Sequence, residues 1–264
     1  MKQSKSLTYY NISRQFWFLI IFIGQAIFTY YILFLYGKNG IEGNFEKWNT
    51  ATPHGYVSND ILGNIFFGIH VALAAIITIG GPLQLIPAIR KNLKKFHRIN
   101  GRVYLLSAVI ISLSGLYLTW VRGSVGGLVG SIAISCNAVA ILVSAFCTVK
   151  YALAKNFLLH QKWAVHLFLA VSGVFFFRIC LMFWLGVNQA PVGFNPKTFQ
   201  GPTLNVLYVL VYILPVFISE LFHRALKLKK PKSLIGMSLF LVITGLALAF
   251  GVFVATKGMW LPRL

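Results

Sequence analysis

Residues 61–90 read ILGNIFFGIHVALAAIITIGGPLQLIPAIR, and no Asp, Glu, Lys or Arg interrupts the run before Arg90. A membrane-spanning helix takes about 20 mostly apolar residues. A strand of a membrane barrel takes only about 9–11, in strict apolar–polar alternation. The length of this run and its lack of alternation select a helix. In hydrocarbon, a helix satisfies its backbone groups within its own segment. Working outward, the same pattern recurs at residues 16–36, 103–121, 125–149, 163–187, 204–222 and 234–255, so seven spans are expected.

The composition agrees. The chain has 264 residues, of which 58% are hydrophobic and 11% charged, with a mean hydropathy of +0.76. A soluble domain carries about 25% charged residues. A soluble globule, a disordered chain and a disulfide scaffold are thereby excluded. Cys136, Cys147 and Cys180 all fall within spans and show no metal-binding spacing, the pattern of small apolar fillers. No soluble domain or internal repeat is visible. The expectation is one all-α integral membrane domain over residues 1–264, a polytopic bundle of seven transmembrane helices. The first span exceeds the 7–15 residues of a signal-peptide core and lacks a small-residue cleavage site, so it is expected to stay in place.

Lys and Arg total 24 against four Asp and Glu, a net charge of +20. The segments before spans one, three, five and seven hold 17 of these cations, including Lys2, Arg14, Arg90, Arg98, Lys162, Arg224 and Lys229. The opposite segments hold six: Lys38, Lys47, Arg122, Lys197, Lys257 and Arg263. The positive-inside rule then sets the N-terminus in the cytoplasm and the C-terminus outside. This points to a multi-pass protein of the cytoplasmic (inner) membrane. Its basic face is expected to meet anionic lipid headgroups rather than nucleic acid.

Ionisable groups within spans are costly, and by default they mark function. His70 lies nine residues into its span, about 13 Å deep. Arg178 lies fifteen residues beyond Trp163, about 22 Å up from the basic side. Both fall in the outer half, and no acid lies at that depth to neutralise Arg178. With Gln84 they form a candidate ligand site: a guanidinium for a carboxylate or phosphate and a titratable imidazole. The alternative is an arginine that snorkels outward. Gly80-Gly81-Pro82 in the second span reads as a packing kink or a hinge. On the basic side, His97, Arg98, Arg102, Tyr104, His160 and Glu220 form a second polar cluster. Glu220 is expected to pair with Arg98, Arg102 or a histidine.

Histidines in a bundle raise b-type haem. His166 lies about 5 Å into the core and His70 about 17 Å from the same side, which opposes a shared iron between them. Retinal chemistry is excluded by the lack of a mid-span lysine in the last span.

The order His70, Gly81-Pro82-Leu83-Gln84, Arg90, the His-Arg-x-x-Gly-Arg-x-Tyr block at 97–104, Gly115, the His-x-x-Trp block at 160–163, Arg178 and Glu220 resembles a bacterial family of predicted polytopic membrane proteins, catalogued as a domain of unknown function. The 97–104 block is the most specific part, and the likeness covers about residues 63–224. The resemblance implies a membrane bundle of unassigned activity and supplies no catalytic residue. Family members usually carry a basic residue at the position of His166, which leaves His70, His97 and His160 as the better haem candidates. Three functional readings follow. The first is a membrane-embedded binding or redox protein for an anionic, quinone-like or haem ligand. The second is a transporter of a small, anionic solute, and the third is an accessory subunit of a membrane complex. Whether the chain is an enzyme stays open, since no nucleophile–base pair supports hydrolysis.

Overall fold

A computed structural model describes residues 2–123, 125–228 and 230–264, with side chains from Lys5 onward. Lys229 and the Lys2 side chain, counted above with the basic segments, lie outside the described residues. Helix α1 (Lys2–Ile32) runs through a wide turn at Leu33–Lys38 into the short α2 (Asn39–Ile41). There follow α3 (Ile61–Leu85), α4 (Pro87–Asn92), α5 (Lys94–Tyr117), α6 (Gly127–Leu153), α7 (Phe157–Val171), α8 (Gly173–Asn188), α9 (Pro202–Tyr212), α10 (Leu214–Leu228) and α11 (Pro231–Ala255). No β-strand occurs among the described residues.

Five continuous helices are long and apolar enough to cross a membrane, or up to seven if the bent pairs α7–α8 and α9–α10 each count as one span. Helix α1 begins well before residue 16, because hydropathy marks where a helix meets lipid rather than where it starts. The segments read as unbroken over 163–187 and 204–222 are bent by 53° and 40°. Ser172 and Gly173 supply the first break. A Cβ at Gly173 would lie 2.6 Å from the Tyr212 ring, so only glycine lets that ring seat in the bend. The second break, at Ile213, precedes Pro215, which has no N–H and crowds the preceding turn.

Helix α3 runs through Pro82 and ends at Leu85; Ile86 is extended ahead of Pro87, as the residue before a proline prefers. Gly80 and Gly81 are seats for α5. A Cβ at Gly81 would come within 2.9 Å of Tyr104, and one at Gly80 within 3.1 Å of Asn100.

Neighbouring helices follow the order α1, α3, α5, α6, α9, α8, α11 and back to α1, a closed ring. Helices α7 and α10 fill the end that carries the basic segments, hereafter the basic face. Large apolar side chains such as Ile243, Leu246 and Phe253 lie on the perimeter, while Gln25, Thr29, Ser112, Asn137 and Ser172 are buried. Polar groups kept to the interior, within an apolar girdle, are what lipid as solvent selects.

Candidate functional site

The ring surrounds a partly open cavity of about 350 Å³ with mostly apolar walls. Phe28 on α1, His70 on α3, Gly115 on α5, Asn137 on α6, Arg178 on α8 and Tyr212 on α9 all line it. Two of the three residues read as a ligand site, His70 and Arg178, therefore share one chamber. Gln84 does not line it. It sits fourteen residues beyond His70, about 21 Å along the helix axis. There its Nε2 donates to the His97 carbonyl at 3.1 Å.

His70 is oriented by Ser114. The Ser114 hydroxyl donates to the Ile111 carbonyl at 3.2 Å and lies 2.9 Å from His70 Nδ1. With its hydrogen given to the carbonyl, Ser114 accepts from Nδ1–H, which leaves the Nε2 lone pair free. Gly115 makes room for the ring; a Cβ there would lie 3.3 Å from His70 Cε1.

Arg178 is the unusual member. It makes no hydrogen bond or ion pair among the described residues, and its Nε is fully buried without a partner. Its Cζ lies 5.5 Å from the centroid of the Phe28 ring, and Tyr31 and Tyr212 lie within its electrostatic reach. Asn137 leaves a second buried orphan: its Nδ2 donates to the Ala170 carbonyl, while its Oδ1 accepts nothing. Val174 and Phe175, in the first turn of α8, also line the chamber.

Thr52, Pro53 and His54, in the loop before α3, roof the chamber. Arg122 clasps that loop. Its guanidinium donates to Asp60 Oδ2 at 2.8 and 2.9 Å, to the His54 and Gly55 carbonyls at 2.9 and 3.1 Å, and to Asn64 Oδ1 at 2.6 Å. Asp60 Oδ1 caps α3 by accepting from the Gly63 N–H at 2.9 Å. That bond, with the Arg122 guanidinium beside it, holds the Asp60 carboxyl below the usual carboxylate range.

The residues read as an inner cluster do not all come together. His97, Gly101 and Tyr104 dock α5 on α3, joined by Asn100, whose Nδ2 donates to the Gly80 carbonyl at 2.9 Å. Arg98 and Arg102 are exposed. His160 Nδ1 donates to the Thr148 carbonyl at 2.9 Å and lies within electrostatic reach of His97. Glu220 pairs with neither Arg98 nor Arg102, because α10 packs on α7. Its partners are Lys162 Nζ at 2.5 Å and Arg224 Nε at 3.2 Å, with His166 Nε2 at 3.9 Å. His166 and His223 meet edge to face, with ring centroids 5.7 Å apart, which leaves no space between them for a haem. No group of three or more His, Cys, Asp and Glu side chains suited to a metal ion occurs among the described residues.

Sequence reasoning missed Ser114, Asn137 and Tyr212 as parts of the chamber, since serine, asparagine and tyrosine are common in apolar helices and carry no spacing signal of their own. It also missed the Arg122 clasp. The signal for that was present: Asp60 directly precedes an apolar run, as an N-cap does, and is one of only four acids in the chain.

A ring of long apolar helices around a chamber that holds a few buried polar groups defines a multi-pass membrane protein. The chain belongs to the family described as Predicted membrane protein (DUF2306), whose model matches residues 67–199. That stretch includes His70, Gln84, the 97–104 block, His160 and Arg178, and ends before Glu220. No curated protein and no solved structure matches the chain.

Proposed function

We propose that this chain is a single-domain, seven-span protein of the cytoplasmic membrane that binds a small anionic molecule in the chamber between His70 and Arg178. Its basic face lies in the cytoplasm among anionic headgroups. One observation carries the binding reading: Arg178 lines the chamber without any acceptor among the described residues. An arginine at the centre of a membrane helix costs about 2.5–3.5 kcal/mol, an upper bound for Arg178 in the outer half, and a carboxylate bound in two-point fashion offsets that cost. The apolar walls and the volume suit a compact body bearing one such group, within the usual range for small-molecule pockets. His70 Nε2 and Asn137 Oδ1 set the orientation of hydroxyl or N–H groups on the ligand.

A second reading, transport of that anion, draws on the two bent pairs. Broken helices beside a binding site within the membrane are a recurrent feature of transporters, and Tyr212 and Gly173 bring both breaks to the chamber.

The test is a thermal-shift panel of small mono- and dicarboxylates on detergent-purified protein. At least one acid should raise the melting temperature of the native chain and of a perimeter control, Leu246→Ala, while Arg178→Gln abolishes the shift. A panel without effect, or a shift that survives in Arg178→Gln, removes the binding reading. Counterflow of the hit acid in proteoliposomes decides the transport reading.

A further inference from the structure

A second, larger cavity of about 700 Å³ opens toward the basic face and is separate from the His70–Arg178 chamber. Its body is hydrocarbon-like, lined by Trp17, Leu169, Phe176, Leu214, Leu241 and Leu248 from α1, α7, α8, α10 and α11. Its mouth is charged, with Arg14, Lys162, Arg224 and Lys227 against the single carboxylate Glu220. Glu220 is already engaged by Lys162 and Arg224. Arg14 and Lys227 are exposed and have no acidic partner among the described residues. Arg14 lies over the Tyr10 ring, 6.0 Å from its centroid. A surplus of positive charge at the rim of an apolar slot is complementary to a headgroup of net negative charge carried on hydrocarbon, best met by a bare phosphate monoester.

The geometry points to a binding site for a lipid whose headgroup is a bare phosphate monoester, its hydrocarbon in the slot between α1, α7, α10 and α11 and its uncompensated negative charge facing Arg14 and Lys227. Burial of the chain is favourable relative to water, but the lipid competes with bilayer hydrocarbon that offers the same. Selection therefore rests on the headgroup, with Arg14 and Lys227 as the discriminating pair.

The test is native mass spectrometry of the full chain, titrated with dioleoyl phosphatidate, with dioleoyl phosphatidylcholine or with inorganic phosphate. Phosphatidate is expected to bind at least tenfold tighter than phosphatidylcholine, and inorganic phosphate is not expected to bind. Arg14→Glu/Lys227→Glu, two exposed changes that leave the core intact, should erase the tenfold preference. Ala247→Trp fills the slot and should remove phosphatidate binding while the melting temperature stays within a few degrees. Equal binding of the two lipids, an unchanged preference in the double variant, or full phosphatidate binding in Ala247→Trp would each overturn the site. The last outcome would place the lipid on the outer surface of the helices, and capture of inorganic phosphate alone would identify a simple anion patch.

Discussion

Two arginines flank the same chamber and live opposite lives. Arg122, at its roof, spends its donors on a carboxylate, two carbonyls and an amide oxygen, and its side chain is 6% exposed. Arg178, in its wall, has none of these partners. A guanidinium that is fully satisfied by its own chain is a fastener, and one left unsatisfied within a membrane is a cost that the fold carries for some other purpose. The difference also lies in what the local sequence permits. Gly63 opens the first turn of α3, where a Cβ would fall 2.5 Å from Arg122 Nε. Around Arg178 the neighbours are Phe28, Tyr31 and Tyr212, none of which is an acid.

The comparison breaks first at Arg122. Arg122→Ala removes the bonds to the His54 and Gly55 carbonyls and to Asn64, and strips the roof of its anchor. Charge-assisted bonds of this kind contribute about 1.5–3 kcal/mol each and add imperfectly, so the loss should be about 3 kcal/mol. It would be read as a drop in the unfolding midpoint in detergent, with faster proteolysis of the 42–60 loop. Arg178→Met should move the empty protein the other way, by about 2 kcal/mol, because it removes an unpartnered charge from the membrane interior. A destabilised Arg178→Met would mean that this arginine is also a fastener, and the contrast would collapse.

How much of this was legible beforehand follows from the same two residues. Hydropathy and charge placement identified a helical membrane protein, and the depth of His70 and Arg178 from their span ends anticipated a shared level. The ring closes so that both side chains line one chamber, which no periodicity in the chain encodes. Gln84 was grouped with them because it lies on the same helix, although it sits about 21 Å along the axis from His70, where it meets the His97 carbonyl. The bends at Ser172 and Ile213 escaped notice because a hydropathy window averages over a Ser-Gly pair as readily as over two leucines. Glu220 was matched to cations near it in membrane level, but which helix it faces is a property of packing.

The smallest expected effect sharpens the roof rather than the wall. Asp60 divides its carboxylate, one oxygen capping α3 at Gly63 and the other meeting Arg122, and its folded pKa is lowered by that capping bond first and by Arg122 second. A carboxyl with a depressed folded pKa contributes stability that is fully present above its unfolded value, about 3.9. That contribution is lost as pH falls through the lower, folded value. The native chain should therefore lose part of its unfolding midpoint below about pH 4. Asp60→Asn should start from a slightly lower midpoint at neutral pH and lack that part of the acid slope. The difference between the two curves isolates Asp60 from every other carboxylate. Curves that stay parallel down to pH 3 would show that Arg122 holds the roof through the His54 and Gly55 carbonyls and Asn64 alone, with the ion pair contributing nothing to the clasp.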